Sequence, residues 1–213
     1  MKRLICLGGS ITAANRLFCP DSLGEGYVSM LPPLLPDFQI LNKGIDGFTI
    51  ARILQNVDRD CINLHPDFVT IQVGINNIGL IMNTDRTPSQ QTEMMAAYVK
   101  EYTELLSKIT AHTNAGIVLV EPFVFPHPKE FINWIPHVKT LSGHIRELAD
   151  IFGCEFLPMH QLLNQEARRL GYDTVTTDGI HLTHHGHRML AQKLSKQLSI
   201  MQTDKITRPD EFS

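Results

Sequence analysis

Short apolar segments rich in β-branched residues alternate along this chain with longer segments of helical periodicity. Five of the short segments are predicted strands, at residues 3–8, 38–44, 67–74, 116–122 and 154–159. This alternation is typical of β-α-β units, in which parallel strands form one sheet and helices cover its two faces. The pattern therefore predicts an α/β chain, a flavodoxin-like three-layer α/β/α sandwich with a five-stranded parallel sheet.

Three longer segments carry apolar side chains at helical spacing, so each is predicted to bury one face. The first follows Thr49, a candidate N-cap, and the others span residues 91–112 and 184–199, the last with Thr183 as its candidate N-cap. Residues 77–90 are predicted to be a mobile loop. Residues 122–137 hold four prolines and four large aromatic residues and fit neither pattern.

The 213 residues suit one domain, which we place at residues 1–202, followed by a polar tail at residues 203–213. A net charge of -3 without a basic block argues against a nucleic-acid partner. The four cysteines are scattered without a C-x-x-C pair, which favours reduced thiols over a disulfide framework or a cysteine zinc site.

The amino terminus "MKRLICLGGS" is basic and then apolar. Its apolar run of about five residues is shorter than the roughly 7–15 residues of a signal-peptide core. No run approaches the ~20 apolar residues of a membrane span. We therefore expect a cytoplasmic protein with no membrane span.

Several reactive side chains follow the predicted strands. Ser10 follows the first strand, Gly44 the second and Asn76 the third, and an Asp178–His181 pair precedes the last helix. Ligands of open parallel sheets bind beyond the carboxyl ends of the strands, so these residues are expected at one edge. Together they could supply a nucleophile, a base, an acceptor that orients the base, and donors for an oxyanion.

Each of these residues also has a purely structural explanation. Ser10 could cap a helix, Gly44 could end a strand, and Asn76 could stabilise its own loop. Asp178 and the glycine after it form a common turn pair. It is their order along the chain and their shared position at strand ends that indicate a catalytic site.

Four segments carry a family resemblance: "LGGSIT", "NKGIDGFT", "GINN" and "DGIHLTHHG". They resemble the four conserved blocks of the SGNH hydrolases, the superfamily of GDSL-type esterases and lipases. The resemblance implies that Ser10 is the nucleophile, with Asp178 and His181 completing the catalytic triad. It also implies an oxyanion hole formed by Ser10, Gly44 and Asn76.

The resemblance implies a serine esterase that cleaves small-molecule carboxylic esters through an acyl-enzyme, with no cofactor and no metal. Two positions depart from the family pattern. Gly9 stands where the family usually has the aspartate of GDS, and Asn77 where it usually has the aspartate of GxND. Neither position supplies the nucleophile, the base or an oxyanion donor, so we expect the departures to affect substrate class and rate more than fold.

Four histidines cluster within residues 181–187, and we predict that only His181 is catalytic. His184, His185 and His187 would lie in the first turn of the last helix as neutral surface or rim residues, since the positive helix end disfavours their charged form. The aromatic residues Phe123, Phe125 and Trp134 are predicted to help form the substrate pocket. A packed structural loop or a dimer contact is the alternative for that segment.

Three other functions remain open at this point. A non-catalytic or weakly active small-molecule binding protein could use the same fold, and the two missing carboxylates favour it. Phosphate or flavin could bind at "GGSIT", although the chain lacks both G-x-G-x-x-G and the P-loop GK[ST]. Metal-dependent hydrolysis could use the histidine cluster, although no H-E-x-x-H motif is present.

Overall fold

A computed structural model describes residues 1–207, in which five parallel strands form one sheet in the order β2-β1-β3-β4-β5. The strands are β1 (Lys2–Gly8), β2 (Phe38–Asn42), β3 (Phe68–Gln72), β4 (Gly116–Val120) and β5 (Glu155–Leu157). The five predicted strands are confirmed. The second to the fifth of them each end two residues earlier than predicted.

Helices cover both faces of the sheet, which confirms the predicted three-layer sandwich. In one group α2 packs against α4 and α4 against α5, while α8 packs against α6, α7 and a 3-10 helix at Tyr27–Met30. The α-helices of the described residues are α1 (Ser10–Ala13), α2 (Ile50–Asp60), α3 (Ile75–Met82), α4 (Pro88–His112), α5 (Ile135–Phe152), α6 (Met159–Leu170), α7 (Tyr172–Val175) and α8 (His184–Thr207).

The core lies on both sides of the central strands. All five residues of β3 are buried, as are the last five of β1, because helices cover the two faces of these strands. The predicted helical stripes also face the core. Their fully or nearly fully buried members are Ile50, Ile53, Val57, Tyr98, Tyr102, Leu105, Ile109, Leu190, Leu194 and Leu198.

The prediction of a loop at residues 77–90 is wrong. Helix α3 begins at Ile75, and the buried side chains of Ile75, Ile78 and Ile81 form its inner face. Helix α4 then begins at Pro88, with Thr87 in a capping box, so the connection between the two helices is short. Residues 122–137 contain a 3-10 helix at Lys129–Trp134, and α5 starts directly after it.

The last helix is longer than predicted. Helix α8 continues to Thr207, so the first five residues of the predicted polar tail are helical, and residues 208–213 lie outside the described residues. At its start, the Thr183 hydroxyl accepts a hydrogen bond of 3.3 Å from the Gly186 N–H, which confirms the predicted N-cap. All four cysteines are free thiols. Among residues 1–207, no helix has the length and apolarity needed to cross a membrane.

The strand order positions the site. The chain runs from β1 to one neighbour, β2, and then crosses to β3 on the other side of β1, so the order reverses between β1 and β3. Such a reversal opens a crevice beyond the carboxyl ends of the two strands. Gly8 of β1 pairs in register with Gln72 of β3, so the residues that follow both strands emerge side by side.

Candidate active site

Ser10 stands at the carboxyl end of β1, where the chain turns into the short helix α1. Gly9 is the N-cap of this helix, and Ser10 is its first residue. The backbone N–H of a first-turn residue has no partner within its helix. No residue of the described chain accepts a hydrogen bond from the Ser10 N–H, so this donor is available to a ligand.

A continuous line of hydrogen bonds joins three of the predicted catalytic residues. Ser10 Oγ lies 2.9 Å from His181 Nε2. On the other side of the ring, His181 Nδ1 lies 2.6 Å from Asp178 Oδ2. The structure thus brings together Ser10, His181 and Asp178 across 171 positions of sequence.

The second carboxylate oxygen of Asp178 is held by its own turn. Asp178 Oδ1 accepts a hydrogen bond of 2.9 Å from the Ile180 N–H and one of 2.7 Å from the His181 N–H. Burial alone would raise the pKa of Asp178, but the hydrogen bonds from the His181 ring and from these two N–H groups outweigh it. The pKa of Asp178 therefore lies below its ordinary value, and the carboxylate is ionised at neutral pH.

The turn that carries Asp178 and His181 is fixed from both ends by Thr176. The buried Thr176 hydroxyl donates a hydrogen bond of 2.7 Å to the His181 carbonyl oxygen and accepts one of 2.9 Å from the Gly179 N–H. Gly179 has a φ of 93°, and a Cβ there would come within 2.5 Å of the His127 carbonyl oxygen. Only glycine fits at this position, so the turn has one geometry.

Asn76 lies in the first turn of α3, which follows the carboxyl end of β3. Its side-chain nitrogen donates one hydrogen bond, of 2.9 Å, to the Phe48 carbonyl oxygen. An amide nitrogen carries two N–H groups. The second N–H of Asn76 is therefore left for another acceptor while the first fixes the orientation of the amide.

The structure gives no support to Gly44 as an oxyanion donor. Gly44 is buried, and its N–H already donates a hydrogen bond of 2.9 Å to Asn42 Oδ1. Its Cα packs against α1, where a Cβ would lie 2.3 Å from the Ala13 nitrogen. Gly44 thus serves the packing of α1 on the end of β2.

The second glycine of the same segment has different surroundings. Gly47 is exposed, has a φ of 74°, and lines a cleft together with Asn76. No residue of the described chain accepts a hydrogen bond from its N–H. Both glycines were visible in "NKGIDGFT", but no signal in the residue pattern distinguishes the buried one from the exposed one.

Comparisons with known proteins identify the family. The sequence model of the GDSL-like lipase/acylhydrolase family matches residues 6–189. This chain belongs to that family. The resemblance seen in the four sequence segments is confirmed, and the chain is a carboxylic ester hydrolase with the α/β fold of the GDSL esterases.

Relatives of this GDSL-family chain match along nearly its whole length. An acetylxylan esterase from Geobacillus stearothermophilus is 24% identical over 215 residues, which cover 92% of this chain and 94% of the relative. A solved variant of that enzyme superposes with a TM-score of 0.78 at 21% identity, covering 92% of this chain and 94% of the variant. Its solved catalytic mutants replace an aspartate, a serine and a histidine by alanine.

A second solved structure shares the fold. A protein from Parabacteroides merdae, described as a GDSL-like lipase, superposes with a TM-score of 0.82 at 22% identity, covering 93% of this chain and 96% of that protein.

The two departures from the GDSL pattern have visible structural consequences. A Cβ at Gly9 would lie 2.9 Å from Asn76 Nδ2, so a side chain on this backbone would crowd the Asn76 amide. Asn77 Oδ1 accepts a hydrogen bond of 3.2 Å from the Ile50 N–H, the first residue of α2. Thr49 makes no side-chain cap at that helix, so Asn77 supplies the acceptor without the charge of an aspartate.

The three other clustered histidines have different surroundings. His184 is exposed, and His185 Nε2 lies 3.0 Å from Glu166 Oε1 on α6. His187, predicted to lie on the surface or rim, is half-buried, and its Nδ1 accepts a hydrogen bond of 3.1 Å from the Tyr27 N–H. Burial, together with the nearby His181 and His184, lowers the pKa of His187 to about 4.

A cleft of about 370 Å³ opens beside Asn76, and we call it the α3 cleft. It is lined by Gly47, Thr49, Ile75, Asn76, Gly79, Leu80, Asn83, Thr84, Trp134 and Ile180. Of the three aromatic residues predicted for the pocket, only Trp134 is among them. Phe123 and Phe125 are 0% exposed and pack edge to face in the core, so they offer a substrate no surface.

Proposed function

We propose that this chain hydrolyses carboxylic esters through an acyl-enzyme formed on Ser10. The observation that carries this proposal is the unbroken line of hydrogen bonds from Ser10 Oγ through the His181 ring to the Asp178 carboxylate. A serine hydroxyl is a weak nucleophile until a neighbouring base accepts its proton. Here His181 is within hydrogen-bond distance of that proton.

The charge state of Asp178 fixes the form of the His181 ring. Because the pKa of Asp178 is lowered, its carboxylate is ionised and accepts a hydrogen bond from His181 Nδ1–H. The neutral ring then has its lone pair at Nε2, facing Ser10 Oγ. As Ser10 attacks the ester carbonyl carbon, the proton moves to Nε2, and Asp178 stabilises the imidazolium that forms.

The negative charge of the tetrahedral intermediate needs donors that are already in place. We assign this role to the Ser10 N–H, the Gly47 N–H and the free N–H of the Asn76 amide. The first two have no acceptor among the described residues, and the bond from Asn76 to the Phe48 carbonyl oxygen holds the third in position. Gly47 takes the role that the sequence assigned to Gly44.

The second half of the reaction uses the same groups. His181 donates its proton to the leaving alcohol, the C–O bond breaks, and the acyl group stays on Ser10. His181 then accepts a proton from water, which attacks the carbonyl carbon of the acyl-enzyme. As the bond to Ser10 Oγ breaks, His181 returns this proton to Oγ, and the acid and free Ser10 are released.

Two features of the relatives support this assignment. The catalytic mutants of the Geobacillus stearothermophilus enzyme alter the same three residue types, with its aspartate and histidine also three positions apart. That enzyme is an acetylxylan esterase, which makes acetylated xylan the first natural substrate to test here.

Labelling with a fluorophosphonate tests the proposal, because such probes form a covalent adduct with an activated serine. We expect mass spectrometry to locate the adduct on Ser10. Ser10→Ala should prevent labelling and lower kcat by about 10⁴ or more with the fold intact. Ser107→Ala, at an exposed serine of α4, is the matched control and should label normally. Labelling of the Ser10→Ala protein at the normal rate would refute the assignment.

A further inference from the structure

Helix α3 presents one face to the α3 cleft. Asn76, Gly79, Leu80 and Asn83 recur at intervals of three and four residues, so they lie along the same side of the helix, and all four line the cleft. Asn76, one of the proposed oxyanion donors, is the first of the four along the helix. Gly79 comes one turn further along, where the helix has no side chain.

Nothing in the backbone requires glycine at this position. Gly79 lies inside α3 and has no positive φ. Glycine in the middle of a helix is less favourable than alanine because it loses more conformational freedom on folding. The chain therefore carries a locally unfavourable residue in α3 for a reason other than conformation.

Packing does not require glycine either. A Cβ at Gly79 would lie 3.5 Å from Trp134 Cη2, 3.8 Å from Trp134 Cζ3 and 3.9 Å from Asn83 Nδ2. These are ordinary van der Waals distances, so an alanine fits. Any atom beyond Cβ must either enter the cleft or displace the Trp134 indole. Gly79 and Trp134 together therefore set the width of the cleft.

The geometry of the reaction indicates which part of an ester occupies this cleft. The leaving oxygen must reach His181 Nε2, which protonates it, and the carbonyl oxygen must reach the oxyanion donors. The acyl group is the remaining substituent of the carbonyl carbon. Gly47 and Asn76 line the α3 cleft, whereas Ser10 and His181 do not. An acyl group that extends past the oxyanion donors enters this cleft.

We infer that Gly79 is a specificity-determining residue, whose missing side chain lets the α3 cleft accept acyl groups longer than acetyl. This inference rests on the proposed acyl-enzyme mechanism. The volume of about 370 Å³ falls within the roughly 300–1,000 Å³ of ligand pockets and leaves room beyond a methyl group. Apolar walls from Ile75, Leu80, Trp134 and Ile180 suit an alkyl chain.

The test compares kcat/KM for 4-nitrophenyl acetate, butyrate and octanoate, which share one alcohol. Gly79→Leu should lower the butyrate-to-acetate ratio at least about tenfold, since a pocket that loses room for a few methylene groups discriminates on that scale. Gly79→Ala should lower the ratio less and raise the midpoint of thermal unfolding. Trp134→Ala, which widens the cleft, should shift the preference towards octanoate.

Gly143 provides the matched control. It is also a glycine inside a helix, α5, but it is exposed, and a Cβ there meets nothing within 4 Å. Gly143→Leu should leave the acyl preference unchanged. If Gly79→Leu does not fold, the butyrate-to-acetate ratio of Gly79→Ala still tests the inference.

Three results would overturn the inference. The acyl preference of folded Gly79 variants could match that of the unaltered enzyme. The change could appear only in a series of alkyl acetates, which would place the alcohol in the cleft. Gly79→Ala could strongly destabilise the fold, which would show that packing requires the glycine. None of these three results would bear on the acyl-enzyme mechanism itself. If that mechanism were wrong, the Ser10→Ala variant would retain activity.

Discussion

The hydroxyl of Thr176 donates a hydrogen bond of 2.7 Å to the carbonyl oxygen of His181. The same oxygen atom of Thr176 accepts the Gly179 N–H, so one side chain holds both sides of the turn that carries Asp178 and His181. Thr176 touches neither Ser10 nor the oxyanion donors. It is a positioning residue for the base.

Thr176→Val removes this hydroxyl while keeping the volume of the side chain. The Gly179 N–H would lose its acceptor in a buried site, at a cost of about 1–3 kcal/mol. A small displacement of His181 would lower kcat by roughly ten- to a hundredfold with little change in KM. Steady-state kinetics on protein shown to be folded by circular dichroism measures this effect.

Thr176→Ser is the matched control, since it keeps the hydroxyl, and it should recover most of kcat. A valine variant with reduced thermal stability but normal kcat would show that Thr176 contributes only to folding.

Asn76 should act in the transition state, because one N–H of its amide has no acceptor among the described residues while the other is bonded to the Phe48 carbonyl oxygen. Asn76→Ala is expected to lower kcat by roughly 10²–10³ and to leave KM nearly unchanged. Initial rates over a range of substrate concentrations separate the two constants. An effect on KM alone would mean that Asn76 binds the ground state of the ester.

Alanine substitutions should separate the catalytic histidine from its neighbours. His181→Ala should lose nearly as much activity as Ser10→Ala, whereas His185→Ala should lose less than about tenfold, since His185 contacts Glu166 on α6 rather than the crevice. Activity measured after exhaustive chelation should be unchanged. Activity that chelation removes and zinc restores would contradict this assignment and favour a metal site in the histidine cluster.

His187 should make the stability of the fold depend on pH. Its neutral Nδ1 accepts the Tyr27 N–H, and its pKa falls from 6.5 to about 4 on folding. Between these values the unfolded chain binds the proton more readily than the folded chain. Stability is therefore highest above pH 6.5 and falls as the pH decreases towards 4, by roughly 3 kcal/mol for this group.

His187→Asn isolates this contribution, because the asparagine Oδ1 can accept the Tyr27 N–H and cannot be protonated in this range. Urea unfolding at several pH values should give a shallower loss of stability for the variant than for the unaltered protein. Burial also lowers the pKa of His160 to about 4. His160 is present in both proteins, so it accounts for part of the pH dependence of stability that remains in the variant. Equal slopes in the two proteins would contradict the role of His187.

Strand positions were predictable because the buried residues of β1, β3 and β4 are nearly continuous apolar runs. The carboxyl end of β3 was not, since the apolar composition continues past its last paired residue to Val73. Helix α3 was missed because Asn76, Asn77 and Gly79 are poor helix formers. Burial of Ile75, Ile78 and Ile81 outweighs that local preference.

Within the site, the sequence predicted the residues that the structure brings together at Ser10, Asp178 and His181. It did not distinguish Gly44 from Gly47. The Asn42 side chain accepts a hydrogen bond from the Gly44 N–H and not from the Gly47 N–H, and that contact exists only in the folded chain. It also did not predict the hydrogen bond between His187 and the Tyr27 N–H, since the 3-10 helix at Tyr27–Met30 lies far from His187 in sequence.

The Asp178–His181 pair lies within four consecutive residues, but its partner Ser10 comes from the opposite end of the chain. The nucleophile emerges early from the ribosome, and the base follows only after all five strands have been synthesised. No partly made chain can therefore cleave an ester by this mechanism. During refolding, hydrolytic activity should return only when the turn that carries Asp178 and His181 docks beside Ser10, so the return of activity reports directly that the two ends of the molecule have met.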